Sequence, residues 1–320
     1  MIATVTLVLG LSILVKGADL LVDGASAIAR KFGVTPLVIG LTVVAFGTSL
    51  PELIVNLFAA FQGNVDIAIG NILGSNISNI LLILGVSALI MPLKVGKGTV
   101  WREIPFSFLA VILMGVMVAD KFLDGMPANA LTRTDGLALL LFFIIFLYYS
   151  YSISKNADDL GEDVSDEKLS TPIASGLVLL GLGMLTLGGK AVVDGAVTLA
   201  YSFGLSEAIV GLTIVAIGTS LPELVTSAVA TYKGSVDIAV GNVVGSNIFN
   251  LFWVLGLSSV IQPLPFADIL LRDVGMTIFA TGLLFAVMFI GKRHHLERWQ
   301  GAGFIILYIL YLAVLVVGEM

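Results

Sequence analysis

Residues 40–93 lie on residues 211–264 without a gap, at an offset of 171, and 31 of the 54 paired positions are identical. A segment repeated at this level commits the chain to two related units, so the repeat must be recognised before any element is placed. GTSLPEL at 47–53 recurs at 218–224, and VDIA followed by GN, GSNI and N at 65–79 recurs at 236–250. The match continues more thinly toward the N-terminus. Asp23-Gly24-Ala25 pairs with Asp194-Gly195-Ala196, and Phe32-Gly33 with Phe203-Gly204.

The repeated unit is too apolar for water. Of 320 residues, 58% are hydrophobic and 12% charged, whereas soluble domains carry about a quarter charged residues. Apolar runs of about 20 residues, each enough to cross roughly 30 Å of hydrocarbon, recur along nearly the whole length. The spacing predicts helices over about 2–29, 35–60, 66–91, 102–120 and 135–153, then about 173–200, 207–231, 235–262, 271–290 and 301–318. Five crossings is an odd number, so the second unit must start from the opposite side of the membrane. The expected fold is an all-α integral membrane protein of ten transmembrane helices, arranged as two inverted five-helix repeats. They occupy residues 1–153 and 173–320, with an acidic linker at 154–172 between them.

Basic residues in short loops mark the cytoplasmic side. With the N-terminus outside, Arg30, Lys31, Lys94, Lys97, Arg102, Lys155, Lys168, Lys233, Lys292, Arg293 and Arg298 fall inside, and Lys121, Arg133 and Arg272 outside. Both termini are therefore expected to be extracellular and the linker cytoplasmic, in a multi-pass plasma (inner) membrane protein. The first apolar run has no basic n-region and carries Lys16 and Asp19, so it reads as a retained helix rather than a signal peptide. The linker's six acids, Asp158, Asp159, Glu162, Asp163, Asp166 and Glu167, lack the spacing of an EF-hand loop and read as a solvated tether. The net charge of −6 gives no support for nucleic-acid binding. Absence of cysteine excludes disulfides and thiolate metal sites.

Glu52 and Glu223 stand inside two of the most apolar helices, where a carboxylate costs several kcal/mol unless it faces a cavity, a cation or a partner. The competing reading is a packed interior in which each glutamate is protonated or pairs with a lysine such as Lys16 or Lys190. Pro51 and Pro222 precede the glutamates, and a helical proline leaves the carbonyl four residues back, of Gly47 or Gly218, without its donor. Irregular backbone at membrane depth is tolerated where it lines a polar cavity. Helical spacing puts Ala45, Thr48, Ser49 and Glu52 on one stripe, with Ala216, Thr219, Ser220 and Glu223 on its counterpart. Asn71, Ser75 and Asn79 follow at i+4 steps, as do Asn242, Ser246 and Asn250. Two carboxylates with hydroxyl, amide and backbone oxygens make a hard-cation site that suits calcium better than magnesium, and sodium accepts the same oxygens. Broken helices meeting at a repeat interface are the pattern of secondary transporters. Gly70, Gly74, Gly85, Gly241, Gly245 and Gly256 serve either close packing or a sliding surface. Asp23 and Asp194 are candidates for an ion path or for ion pairing, His294 and His295 for an exposed loop, and Tyr148, Tyr149 and Tyr151 for an interface belt.

With GTSLPE twice and GN-x-x-GSNI-x-N twice, the sequence resembles the cation/calcium exchanger superfamily, and within it the prokaryotic sodium/calcium exchangers. The resemblance covers the whole chain in helix count and layout. It implies that Glu52 and Glu223 are the central calcium ligands, with help from the Thr48 and Thr219 carbonyls. Flanking sodium positions would use Ala45, Ser49 and Ser246 on one side and Ser75, Ala216, Thr219 and Ser220 on the other, with Asn79 at the centre. These exchangers typically carry an aspartate where this chain has Asn250, which removes one formal charge from the centre. The expected activity is antiport of Ca2+ against Na+ by alternating access, with H+/Ca2+ exchange as the alternative and no cofactor. A cation channel would not need two buried acids, and an intramembrane hydrolase would need a nucleophile constellation that does not accompany them.

Overall fold

The structure, a computed structural model, describes residues 2–63, 65–154, 169–202 and 216–319. Twelve helices organise it: α1 (Ile2–Phe32), α2 (Pro36–Thr48), α3 (Leu50–Phe61), α4 (Val65–Ser78, continuing through a π segment Asn79–Ile83 into Leu84–Ile90), α5 (Glu103–Met117, preceded by a turn of helix at Lys97–Trp101) and α6 (Arg133–Ser154). The second half contributes α7 (Thr171–Ser202), α8 (Ala216–Thr219), α9 (Leu221–Tyr232), α10 (Val236–Ile248, a π segment Phe249–Val254, then Leu255–Ile261), α11 (Leu271–Val287) and α12 (Arg298–Glu319).

Among the described residues, eight helices are long and apolar enough to cross a membrane, and the α2–α3 pair, bent by 43°, is a broken span or a re-entrant loop, which gives up to nine. The expected tenth, over 207–231, begins within residues outside the description, as does most of the 154–172 linker. Observed bounds follow the expected ones within a few residues elsewhere. The sequence reading missed two short antiparallel pairings: β1 (Leu93–Lys94) with β4 (His295–Leu296), and β2 (Asn129–Leu131) with β3 (Leu264–Phe266). They tie loops together at the two ends of α5, which leaves β1 and arrives before β2.

Burial explains the arrangement. α4 and α10 are covered on almost every face, and they form the centre of the protein. α6 packs along the second half of α10, and α12 along the second half of α4, so each half lends its last helix to the other. The large residues left exposed outside this core include Leu141, Ile144 and Ile145 on α6, Ile306, Ile309 and Leu310 on α12, and Leu179 and Leu187 on α7. So extended an apolar surface is stable only against lipid.

α1 and α7 pack chiefly on each other. Their contact runs along glycines at seven-residue steps, Gly10, Gly17 and Gly24 on one face of α1 and Gly181, Gly188 and Gly195 on one face of α7, with Gly10 meeting Gly188, Gly17 meeting Gly181, Gly24 meeting Ala174 and Gly195 meeting Ala3. A Cβ on Gly17 would lie 3.0 Å from the Gly181 carbonyl oxygen, and one on Gly188 would lie 2.8 Å from the Leu14 nitrogen. Of the glycines singled out from sequence, Gly241 and Gly245 press similarly on the α2 backbone at Leu37 and Leu41, and Gly85 and Gly256 against α12 and α6. Gly70 and Gly74 have nothing within 4 Å of an added Cβ among the described residues.

The charged residues inside α1 and α7 do not reach the glutamates. Lys16 pairs with Asp19 at 2.7 Å, Lys190 with Asp194 at 2.9 Å, and Lys233 with both Asp19 and Asp23. The alternative in which Lys16 or Lys190 neutralises a glutamate is thereby overturned, and Asp23 and Asp194 are ion-paired. The Lys233 clamp has no counterpart, because Gln62 stands at the equivalent place. Lys233→Gln should lower stability by about 1 kcal/mol, a few degrees in the apparent melting temperature of the detergent-solubilised protein, without loss of cation binding.

The aromatic belt needs one correction. Tyr148 and Tyr151 are exposed, but the Tyr149 hydroxyl donates to the buried Glu103 carboxylate at the start of α5. An equivalent pin joins Tyr311 to Asp273 at 3.0 Å in the second half. His294 and His295 sit partly covered in a surface turn, where the His295 ring contacts the Arg293 carbonyl.

Candidate cation-binding site

The break that positions Glu52 is local. Ser49 leaves helical geometry (φ −85°, ψ 5°) between α2 and α3, and Ser220 does the same (φ −86°, ψ 4°) between α8 and α9. In each case proline occupies the second position of the next helix, where its missing N–H costs no hydrogen bond within that helix. The glutamate follows in the first turn, with the helix N-terminus beneath it.

Both carboxylates are fully buried, at 0% and 1% exposure, and they belong to one site. Ser49 Oγ, on the Glu52 side, donates to Glu223 Oε1 at 3.2 Å. Ser75 Oγ on α4 donates to Glu52 Oε1 at 3.4 Å and in turn accepts from Ser220 Oγ at 3.2 Å. Thr48 Oγ1 donates to Asn242 Oδ1 at 3.0 Å and lies 3.5 Å from Ser246 Oγ, while Thr219 Oγ1 donates to Asn71 Oδ1 at 3.1 Å. The Ala45 carbonyl accepts from the Ser49 N–H at 3.0 Å. Ala216 opens α8 at the equivalent place, though its side chain lies outside the description.

Of the residues named from sequence, hydrogen bonds thus join Ser49 to Glu223, Ser75 to Glu52 and Ser220, and Thr48 to Ser246, while Asn79 and Asn250 bond to Asn247 and Asn76. Asn71 and Asn242, seen in sequence as oxygen-bearing steps, emerge as acceptors for the two threonines. Asn242 Nδ2 also donates to the Glu223 carbonyl at 3.4 Å and to Ser227 Oγ at 3.0 Å, and Asn56 Nδ2 to the Glu52 carbonyl at 3.3 Å. These bonds brace the first turn that carries each acid.

Among the buried side-chain oxygens without a hydrogen-bond partner are four from residues predicted as ligands, Glu52 Oε2, Glu223 Oε2, Asn79 Oδ1 and Asn250 Oδ1, alongside Asn56 Oδ1 beneath Glu52. An unsatisfied buried acceptor costs about 1–3 kcal/mol, more when charged, and here the four come as two repeat-related pairs. Among the described residues no cluster of three or more His, Cys, Asp or Glu is present. The donor set is therefore two carboxylates with neutral oxygens around them, which is oxygen-only, of low total charge, and suited to a hard cation that is bound and released rather than permanently held.

Comparison with known proteins agrees with this chemistry. The family profile described as sodium/calcium exchanger protein matches residues 2–152 and 173–317. The sodium/calcium exchanger MaX1 of Methanosarcina acetivorans is 34% identical over 340 aligned positions, covering 97% of each chain. The inner membrane protein YrbG of Escherichia coli is 41% identical over 82% of this chain and 81% of its own. Among solved structures, the sodium-calcium exchanger NCX_Mj soaked with Na+ and Ca2+ superimposes with a TM-score of 0.83 at 34% identity, over 98% of both chains. Its strontium-soaked form gives the same score and coverage. A site of buried, oxygen-only ligands on broken helices thus sits in a fold shared over nearly the full length, and the chain belongs to the sodium/calcium exchanger family.

Proposed function

We propose that the protein exchanges Ca2+ for Na+ across the membrane by alternating access, binding the ions as transported substrates at the Glu52–Glu223 site. The observation that carries this reading is the set of four partnerless buried oxygens, two of them from carboxylates. One Ca2+ balances both glutamates in formal charge, and sodium is close to calcium in size and takes the same oxygens. Ala45, Ser49 and Ser246 on one side, with Ser75, Ala216, Thr219 and Ser220 on the other, give places for additional monovalent ions.

Two inverted five-helix halves, 1–153 and 173–320, give the site two equivalent faces. Supporting this, α4 ends beside β1 and α10 ends beside β3, and these strands lie at opposite ends of α5. The basic residues Lys94, Lys292, Arg293 and Arg298 gather at the β1–β4 end and Lys121, Arg133 and Arg272 near the other. That distribution supports a cytoplasmic β1–β4 face, extracellular termini and residence in the plasma (inner) membrane.

Asn250 keeps proton coupling as the second reading. With a site charge of −2, three Na+ against one Ca2+ leaves +1 on the sodium-loaded site and makes the cycle electrogenic. Two protons against one Ca2+ leaves it neutral throughout. Calcium-45 uptake into proteoliposomes separates the two: an outward sodium gradient should drive uptake, and a valinomycin-clamped potassium potential should change its rate. Uptake driven by a proton gradient alone would assign the second reading, and uptake under neither gradient would defeat calcium exchange.

A further inference from the structure

Two asparagines absent from the predicted ligand set, Asn76 on α4 and Asn247 on α10, lie beside the site with every side-chain polar atom engaged. We infer that they are positioning residues, forming a two-fold cross-brace that turns the Asn79 and Asn250 amides so that each presents its oxygen, and not its NH2 group, to the bound cation. The inference deepens the cation-binding reading of the site and rests on it.

The polarity of the brace is set by the backbone. Asn76 Nδ2 donates to the Asn247 carbonyl at 3.4 Å, and Asn247 Nδ2 donates to the Asn76 carbonyl at 3.4 Å. A backbone carbonyl can only accept, so neither amide can flip without setting two oxygens against each other. Their Oδ1 atoms are therefore left to accept, and they do so crosswise. Asn247 Oδ1 accepts from Asn79 Nδ2 at 2.9 Å, and Asn76 Oδ1 accepts from Asn250 Nδ2 at 3.1 Å.

With their nitrogens held away, Asn79 and Asn250 have only Oδ1 to offer, and neither Oδ1 has a hydrogen-bond partner. All four residues are buried, none more than 1% exposed, so water does not compete for the bonds. Each helix supplies one member to each crosswise pair, and the brace therefore fixes the spacing of α4 and α10 at the level of the site. Partners of this kind around a metal typically account for 10- to 100-fold in affinity.

A consequence for position 250 follows. The brace requires a hydrogen on the side chain at 79 and at 250, because the facing Oδ1 only accepts. An aspartate placed there with the brace intact can satisfy it as the acid, and then adds no charge to the site. Removing the facing Asn76 or Asn247 lifts the requirement, so the same aspartate ionises and binds the cation through an oxygen in whichever way it turns.

The test is isothermal titration of the purified, detergent-solubilised full chain with calcium chloride and, separately, sodium chloride. Asn76→Leu and Asn247→Leu should each weaken binding about 10- to 100-fold. Asn79→Asp should recover affinity in the Asn247→Leu background but not with Asn76→Leu. Asn250→Asp should recover it with Asn76→Leu but not with Asn247→Leu. If leucine prevents folding, Asn76→Ala and Asn247→Ala replace it in the same scheme.

Native affinity in the leucine or alanine variants, or equal recovery from matched and mismatched aspartates, would overturn the brace. A native chain that binds sodium but not calcium would defeat the exchange reading while the brace is judged on the sodium isotherm. One that binds neither cation overturns both.

Discussion

Glu52→Gln should abolish calcium uptake, and Glu223→Gln should do the same. Each substitution leaves the shape of the side chain and the hydroxyl contact from Ser75 or Ser49 in place, but removes one of the two charges that balance a divalent ion. A calcium ion then carries an uncompensated charge in a site with almost no water. Breaking one partner of a buried charge pair costs about 3–5 kcal/mol, which corresponds to a few hundredfold or more in affinity. Calcium titration and calcium-45 uptake on the same preparation should fall together. The ion-free proteins should be at least as heat-stable as the native chain, since a buried charge has been removed. Retention of calcium uptake by either variant within a few fold of native would remove the glutamates from the centre of the mechanism.

A second large effect is expected far from the ions. Combining Gly17→Ala with Gly188→Ala places two methyl groups against backbone atoms across the α1–α7 seam, at 2.8–3.0 Å from their neighbours. Backbone cannot rotate aside as a side chain would, so the helices must separate. Overpacking costs about 1–3 kcal/mol per site, set against a helix-propensity gain of about 1 kcal/mol for each alanine. Gly183→Ala on the same helix, where an added Cβ meets nothing within 4 Å, shares that gain without the clash and is the control. In size-exclusion profiles after graded heating, the double variant should lose its monodisperse peak several degrees below native, with Gly183→Ala at or above native.

The repeat, the helix pattern and the acid-bearing breaks were legible in the sequence because each has a strong local signal. Offset identity, apolar length and Pro-Glu inside a hydrophobic run do not depend on distant contacts. Glu52, Ser49, Ser75 and their counterparts could thus be assembled before any coordinates. Asn76 and Asn247 were not found, although GSNI occurs twice. One residue beyond Ser75, Asn76 falls about 100° around the helix, off the stripe that carries the ligands, and its role depends on a partner 171 positions away. The glycine seam was passed over for a similar reason. Seven-residue spacing at 10, 17 and 24 is visible in the chain, but only contact with Gly181, Gly188 and Gly195 separates a packing face from ordinary glycine usage. The competing reading of lysine partners for the glutamates fails because Lys16 and Lys190 have acids one helical turn away on their own helices.

The α1–α7 seam also sets an order of assembly. α1 is synthesised well before α7, and the surface it is shaped to fit emerges only some 170 residues later, on the order of ten to thirty seconds at about 5–20 residues per second. Through that interval it must reside in lipid as a solitary span, with its glycine face bare and a lysine and an aspartate at membrane depth. Lys16 and Asp19, three residues apart and 2.7 Å from each other, can neutralise one another on the helix itself before Lys233 exists. The nascent chain thereby carries its own temporary counter-ion, and a helix bearing either charge alone would be the one delayed at insertion.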